Sequence, residues 1–220
     1  MDTPIDTLGR MVGGDEALLR LVRAIVADDP VGTARLLAAS PALARAVAEK
    51  GATRQDAQSF YFQEIQHYLY AGDTALHIAA AAYRAETVRL LVDMGADVGS
   101  GNRRGAQPLH YAADGAPGSP PREPEAQAET VRRLIEAGAD PNARDDSGVT
   151  PLHRAIRTRC AGAVRALLDG GADVHLGNRR GSAPMELATR MTGRGGSGSP
   201  AAKAQQAEIV RLLQRHGVMQ

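Results

Sequence analysis

One string recurs along this chain at a spacing that leaves few folds open. Asp73-Thr74-Ala75-Leu76-His77-Ile78-Ala79-Ala80 returns as Gln107-Pro108-Leu109-His110-Tyr111-Ala112-Ala113. It returns again as Thr150-Pro151-Leu152-His153-Arg154-Ala155-Ile156, and in a weaker copy as Ala183-Pro184-Met185-Glu186-Leu187-Ala188. His77 to His110 and His153 to Glu186 are steps of 33 residues, and His110 to His153 is 43. A second string follows each first one. Val88-Arg89-Leu90-Leu91 matches Val131-Arg132-Arg133-Leu134, Val164-Arg165-Ala166-Leu167 and Val210-Arg211-Leu212-Leu213. Self-similarity at such a period marks stacked units, each unable to bury its apolar side alone.

Each unit reads as two short helices and a turn. Thr74 and Thr150 are suited to cap the first helix, and Pro108, Pro151 and Pro184 fall where a first-turn proline is tolerated. The second helix ends at Gly95, Gly138, Gly171 and Gly217. Composition agrees. The chain has 40 Ala against no Trp, two Phe and five Tyr. Closely packed helices use such a core well, whereas sandwiches and barrels do not.

On these residues the chain resembles the ankyrin repeat family. The resemblance implies an all-α solenoid of helix–turn–helix units, with β-turn fingers on one edge and the first helices lining a concave face. It divides the chain into a tail (1–14), a degenerate capping repeat (15–45) and repeats at 72–104, 105–147, 148–180 and 181–220. Between cap and first repeat, 46–71 is an insertion.

Three departures from the pattern carry local information. The first is that insertion, which holds five of the seven aromatics. Ala57, Tyr61, Ile65, Tyr68 and Leu69 share one helical face, so an extra amphipathic helix is expected over 53–70. Its rings either plug the end of the solenoid or form the wall of a binding site, with Phe60, His67 and Tyr70 reaching a ligand. The others are loops at 115–124 and 191–203, both at the junction between the two helices of a unit and therefore on one edge. Long loops on one edge are often functional. The Gly-rich stretch from Gly193 to Ser199 suits an anion or simply a linker, and no Walker lysine follows it.

Net charge is +1, which argues against a general nucleic-acid binder. Charge placement is more telling. Arg103-Arg104 and Arg179-Arg180 occupy one finger position two repeats apart, with Asp145-Asp146 between them. Such an edge favours a partner protein of acidic or mixed charge. On the first helices, Ile78, Tyr111, Arg154 and Leu187 share one position, and Ala81, Asp114, Arg157 and Arg190 share another. Asp114 is within reach of Arg157 if neighbouring helices lie roughly 8–10 Å apart. Arg154, Arg157, Arg159, Arg190 and Arg194 converge if an anion separates them, because guanidinium forks suit carboxylate or phosphate.

The family resemblance makes His77, His110 and His153 structural, and one repeat of separation is too far for a shared metal ion with bonds of roughly 2 Å. His67 alone is placed for chemistry. Cys160 reads as a packed thiol. No cofactor, zinc spacing or nucleophile–base set stands out. With one cysteine, no signal core and no apolar run of roughly 20 residues, a cytoplasmic chain without a membrane span is expected.

Two functions follow. The first is a protein-interaction module using the fingers (Arg103, Arg104, Arg179, Arg180) and the concave face (Tyr111, Arg154, Arg157). The second is a pocket for a small anionic ligand, built from the concave arginines, the loops and the aromatic segment, with catalysis possible in principle.

Overall fold

A computed structural model describes residues 7–115, 123–190 and 199–218. Its helices come in five successive pairs. These are α1 (Thr7–Val26) with α2 (Pro30–Ala39), α3 (Ala75–Ala81) with α4 (Ala85–Asp93), and α5 (Pro108–Ala112) with α6 (Pro124–Glu136). They continue with α7 (Pro151–Arg157) and α8 (Ala161–Asp169), then α9 (Pro184–Thr189) and α10 (Pro200–Val218). First helices stack on first helices, and second helices on second from α4 onward. The chain is thus an all-α solenoid. α1 already begins at Thr7, inside the expected tail, and α10 at Pro200, inside the expected insertion.

The repeated strings build one continuous core. Leu76, Ala79, Leu109, Ala112, Leu152 and Ala155 on the first helices are fully buried, as are Val88, Leu91, Val131, Leu134, Val164 and Leu167 on the second. Alanine lets the helices close up, and leucine and valine fill what remains.

The motif histidines tie each unit to the next. The Nδ1 atoms of His77, His110 and His153 accept from the backbone N–H of Thr74, Gln107 and Thr150, at 3.1, 3.1 and 3.2 Å. Their Nε2–H groups then donate to the carbonyls of Ala106, Val149 and Ser182 in the following finger, each at 3.0 Å. The fingers themselves stack by one backbone bond per step. Arg103 N–H donates to Ala71, Asp146 N–H to Arg104 and Arg179 N–H to Ser147, at 3.1, 2.9 and 3.0 Å. Gly72, Gly105, Gly148 and Gly181 make these turns with positive φ. A Cβ at Gly148 would lie 2.9 Å from the Arg179 nitrogen, so the next finger would be displaced.

The segment expected as an extra helix is not one. Residues 46–71 form an elongated first finger. Ala48, Gly72 and Asp73 exchange backbone bonds at 2.8 Å, Val47 bridges Thr74, and Ala52 N–H donates to Leu69 at 2.7 Å. At the tip, a 3-10 turn (Gln58–Phe60) leads into β1 (Tyr61–Phe62), paired antiparallel with β2 (His67–Tyr68). Here aromatic residues favour an extended pair, and the alternation of buried Leu69 between Tyr68 and Tyr70 outweighs the helical spacing.

Candidate functional site

The elongated finger leans over the first helices and encloses a cavity of about 640 Å³. Its walls come from three places. The finger gives Ile65, His67, Tyr68 and Tyr70; the first helices and their ends give Ala81, Tyr111, Asp114, Arg154 and Arg157; the neighbouring fingers give Asn102, Arg104, Asp145 and Asp146.

The floor is a satisfied polar cluster. Asp73 is 0% exposed and makes no ion pair among the described residues. Its carboxylate accepts from Tyr111 Oη at 2.8 and 2.9 Å, from Asn102 Nδ2 at 2.9 Å and from Tyr70 N–H at 2.7 Å. Burial, then the Asp73 charge, pushes the Tyr111 phenol far above its ordinary value. Tyr111 is therefore a buried donor, only 2% exposed, rather than the open concave contact expected from its position. The His67 ring packs on it with centroids 4.5 Å apart, and His67 Nδ1 bonds the Tyr68 carbonyl at 2.9 Å. His67 thus reaches the cavity as a fixed wall. Phe60 packs against the core instead.

One repeat along, the same two positions hold an ion cluster. Arg154 donates to Asp114, just past the end of α5, and to Asp145 in its own finger, both at 3.1 Å. The side chains of Arg154 and Asp145 are 14% and 11% exposed. Burial raises the Asp145 pKa, but bonds from Val149 and Ser147 N–H and from Arg154 prevail and hold it below the ordinary carboxylate value. Arg157, which is 55% exposed, reaches the other Asp114 oxygen at 3.4 Å, the pairing that helix spacing suggested. The carbonyl of Asp114 also accepts from Tyr83 Oη and from Gln127 Nε2. The first insertion therefore leaves the fold from a fixed point. Residues 116–122 and 191–198 lie outside the described residues, so the expectation that both loops share one edge lies there too.

Of the five expected anion-binding arginines, the four that are described have separate surroundings. Arg154 is compensated by two carboxylates. Arg190 turns back to Glu186 on its own helix. Arg157, Arg159 and Arg190 share only a crevice of about 30 Å³, room for roughly one water. Arg194 lies outside the described residues. Sequence reasoning assigned no site role to Asp73 and Asn102, and placed Asp145 only on the mixed-charge finger edge. Their signal was present in register. Asn102, Asp145 and Asn178 hold one finger position, and each side-chain Oδ1 accepts two backbone N–H groups of its own turn. Where the helix partner is Tyr111 the finger residue is neutral, and where it is Arg154 the finger residue is acidic.

Elsewhere, Arg179 and Arg180 are exposed on their finger. Cys160 is buried, its Sγ capping α8 by accepting from Ala163 N–H at 3.4 Å, and burial pushes its thiol up. Among the described residues, no cluster of three His, Cys, Asp or Glu side chains forms a metal group, and no helix is long and apolar enough to cross a membrane.

Helix pairs stacked through histidine-to-finger bonds, with glycine turns along one edge, define a helical repeat protein. Family models agree on which one. "Ankyrin repeats (3 copies)" matches residues 42–119, "Ankyrin repeat" 104–146 and "Ankyrin repeats (many copies)" 134–188. The chain belongs to the ankyrin repeat family, whose repeats are in general protein-interaction modules. No curated protein matches it.

Proposed function

We propose that this protein is an interaction module that takes a segment of a mixed-charge partner protein across its fingers and first-helix face. The observation that carries this reading is the charge balance of the cavity. Arg104, Arg154 and Arg157 face Asp114, Asp145 and Asp146 across one opening. A simple anion gains little there, because Arg154 is already neutralised. A peptide offers both signs, and Asp146 and Arg157 at the rim are exposed to receive them. Tyr68, Tyr70 and Arg104 supply the side-chain types that most often dominate interface energy. The stacked fingers are held by backbone bonds, so little ordering entropy is lost on binding.

The test is selection of peptides from a displayed random library, followed by affinity measurements on variants. Asp146→Lys and Arg157→Ala are expected to weaken a selected peptide by roughly tenfold, as loss of a charge-assisted bond does. Arg132→Glu, on the exposed side of α6, leaves affinity unchanged. Equal affinity in all three variants contradicts the assignment of this face.

A further inference from the structure

A second cavity, of about 360 Å³, lies on the other side of the wall made by Tyr68, Tyr70 and Arg104. Its remaining lining comes from the outgoing arm of the elongated finger, including Thr53 and Arg54, and from Arg103 on the next finger. Three guanidinium groups face it and no carboxylate does. Asp56, two residues on from Arg54, is not part of the lining. None of the three arginines makes an ion pair among the described residues, although most arginines on the helices do.

These cations are not simply splayed into solvent. Arg103 Nη2 donates to the Ala52 carbonyl at 2.7 Å, which ties the next finger to the outgoing arm. The guanidinium carbons of Arg103 and Arg104 lie 5.5 and 4.9 Å from the Tyr70 centroid. Two like charges are thus gathered around one ring, an arrangement that an anion relieves. The same dipeptide recurs at Arg179 and Arg180, but there no elongated finger stands beside it. The insertion, rather than the repeat, makes the difference.

We propose that Arg54, Arg103 and Arg104, backed by the Tyr68 and Tyr70 rings, bind a phosphate monoester dianion. One guanidinium fork satisfies a carboxylate, whereas three cations match a group with two charges and three acceptor oxygens. The rings give an attached carbon skeleton a surface to pack on. This assignment rests on the interaction-module reading only for the source of the group, a phosphorylated side chain of the partner.

The experiment titrates the full chain at pH 8 with inorganic phosphate, a phosphoserine peptide, phenyl phosphate and acetate, following amide shifts by NMR. Phosphate is expected to saturate one site and to move the amides of Arg54, Arg103, Arg104 and Tyr70, with acetate much weaker. A phosphoserine peptide that binds more tightly than inorganic phosphate identifies a protein source, and equal affinity identifies free phosphate. Tighter phenyl phosphate shows the rings in use. Arg54→Ala removes an exposed side chain without an ion pair and is expected to cost roughly tenfold in phosphate affinity, while Arg179→Ala costs nothing. Absence of saturable phosphate binding, equal affinity for acetate, or indifference to both Arg54→Ala and Arg104→Ala overturns the site. Phosphate is added here without any selected peptide, so failure leaves the module reading to its own test.

Discussion

The two cavities on either side of the Tyr68–Tyr70 wall share Arg104 and differ in what surrounds it. On the inner side, each buried charge or hydroxyl is answered within the repeat lattice. Asp73 is met by Tyr111 and Asn102, and Arg154 by Asp114 and Asp145. On the outer side, three arginines meet carbonyl, ring and solvent but no carboxylate. Polar groups that satisfy one another specify the fold. Polar groups held in place with their charge unanswered are available to a ligand.

The largest effects are expected on the inner side. His110 borders that cluster, and burial, then the Arg154 charge, lowers its pKa from 6.5 to about 4. Above pH 6.5 neither folded nor unfolded chain carries the proton. As pH falls below 6.5 the unfolded chain takes it up first, so stability drops until about pH 4, by roughly 3 kcal/mol for this residue. Burial lowers His77 and His153 in the same direction. Urea unfolding between pH 7 and 4 checks this. A flat profile breaks the picture of neutral histidines bridging the fingers.

Asp114→Ala leaves Arg154 with one carboxylate and detaches Arg157. It is expected to cost about 2–3 kcal/mol, somewhat less than full removal of a buried partner. Tyr111→Phe leaves the Asp73 carboxylate short of a donor, at about 1–2 kcal/mol. The outer side sets the other limit. Arg54→Ala and Arg104→Ala are expected to stay within about 0.5 kcal/mol of the parent in the same unfolding experiment, as exposed changes do. A large loss there erases the contrast between the two cavities.

The repeat lattice was legible in the sequence because each unit uses the same residues for the same bonds. His77, His110 and His153 could be aligned before their partners were known. The elongated finger was not legible in its form. Ala57, Tyr61, Ile65, Tyr68 and Leu69 do recur at helical spacing. What holds the base of the segment extended is pairing between residues 47–52 and 69–74, across some twenty residues of chain, and the short alternation at Tyr68–Tyr70 does not by itself report that pairing. The partners of the concave arginines were hidden for a related reason. Arg154 and Arg157 were placed on the right face, but the acids that answer them come from a finger and from the residues just past α5. Arg54 carried no signal at all, since its neighbours Arg103 and Arg104 are brought to it only by the stacking of fingers.

The central claim is that recognition occurs at the fingers and the first-helix face, around the Tyr68–Tyr70 wall. The most direct measurement is an amide shift map of the chain with a peptide selected for binding. The account predicts that the perturbed residues cluster at 65–70, 102–104 and 145–147 and at Arg157. Shifts confined to α4, α6 and α8 would contradict it.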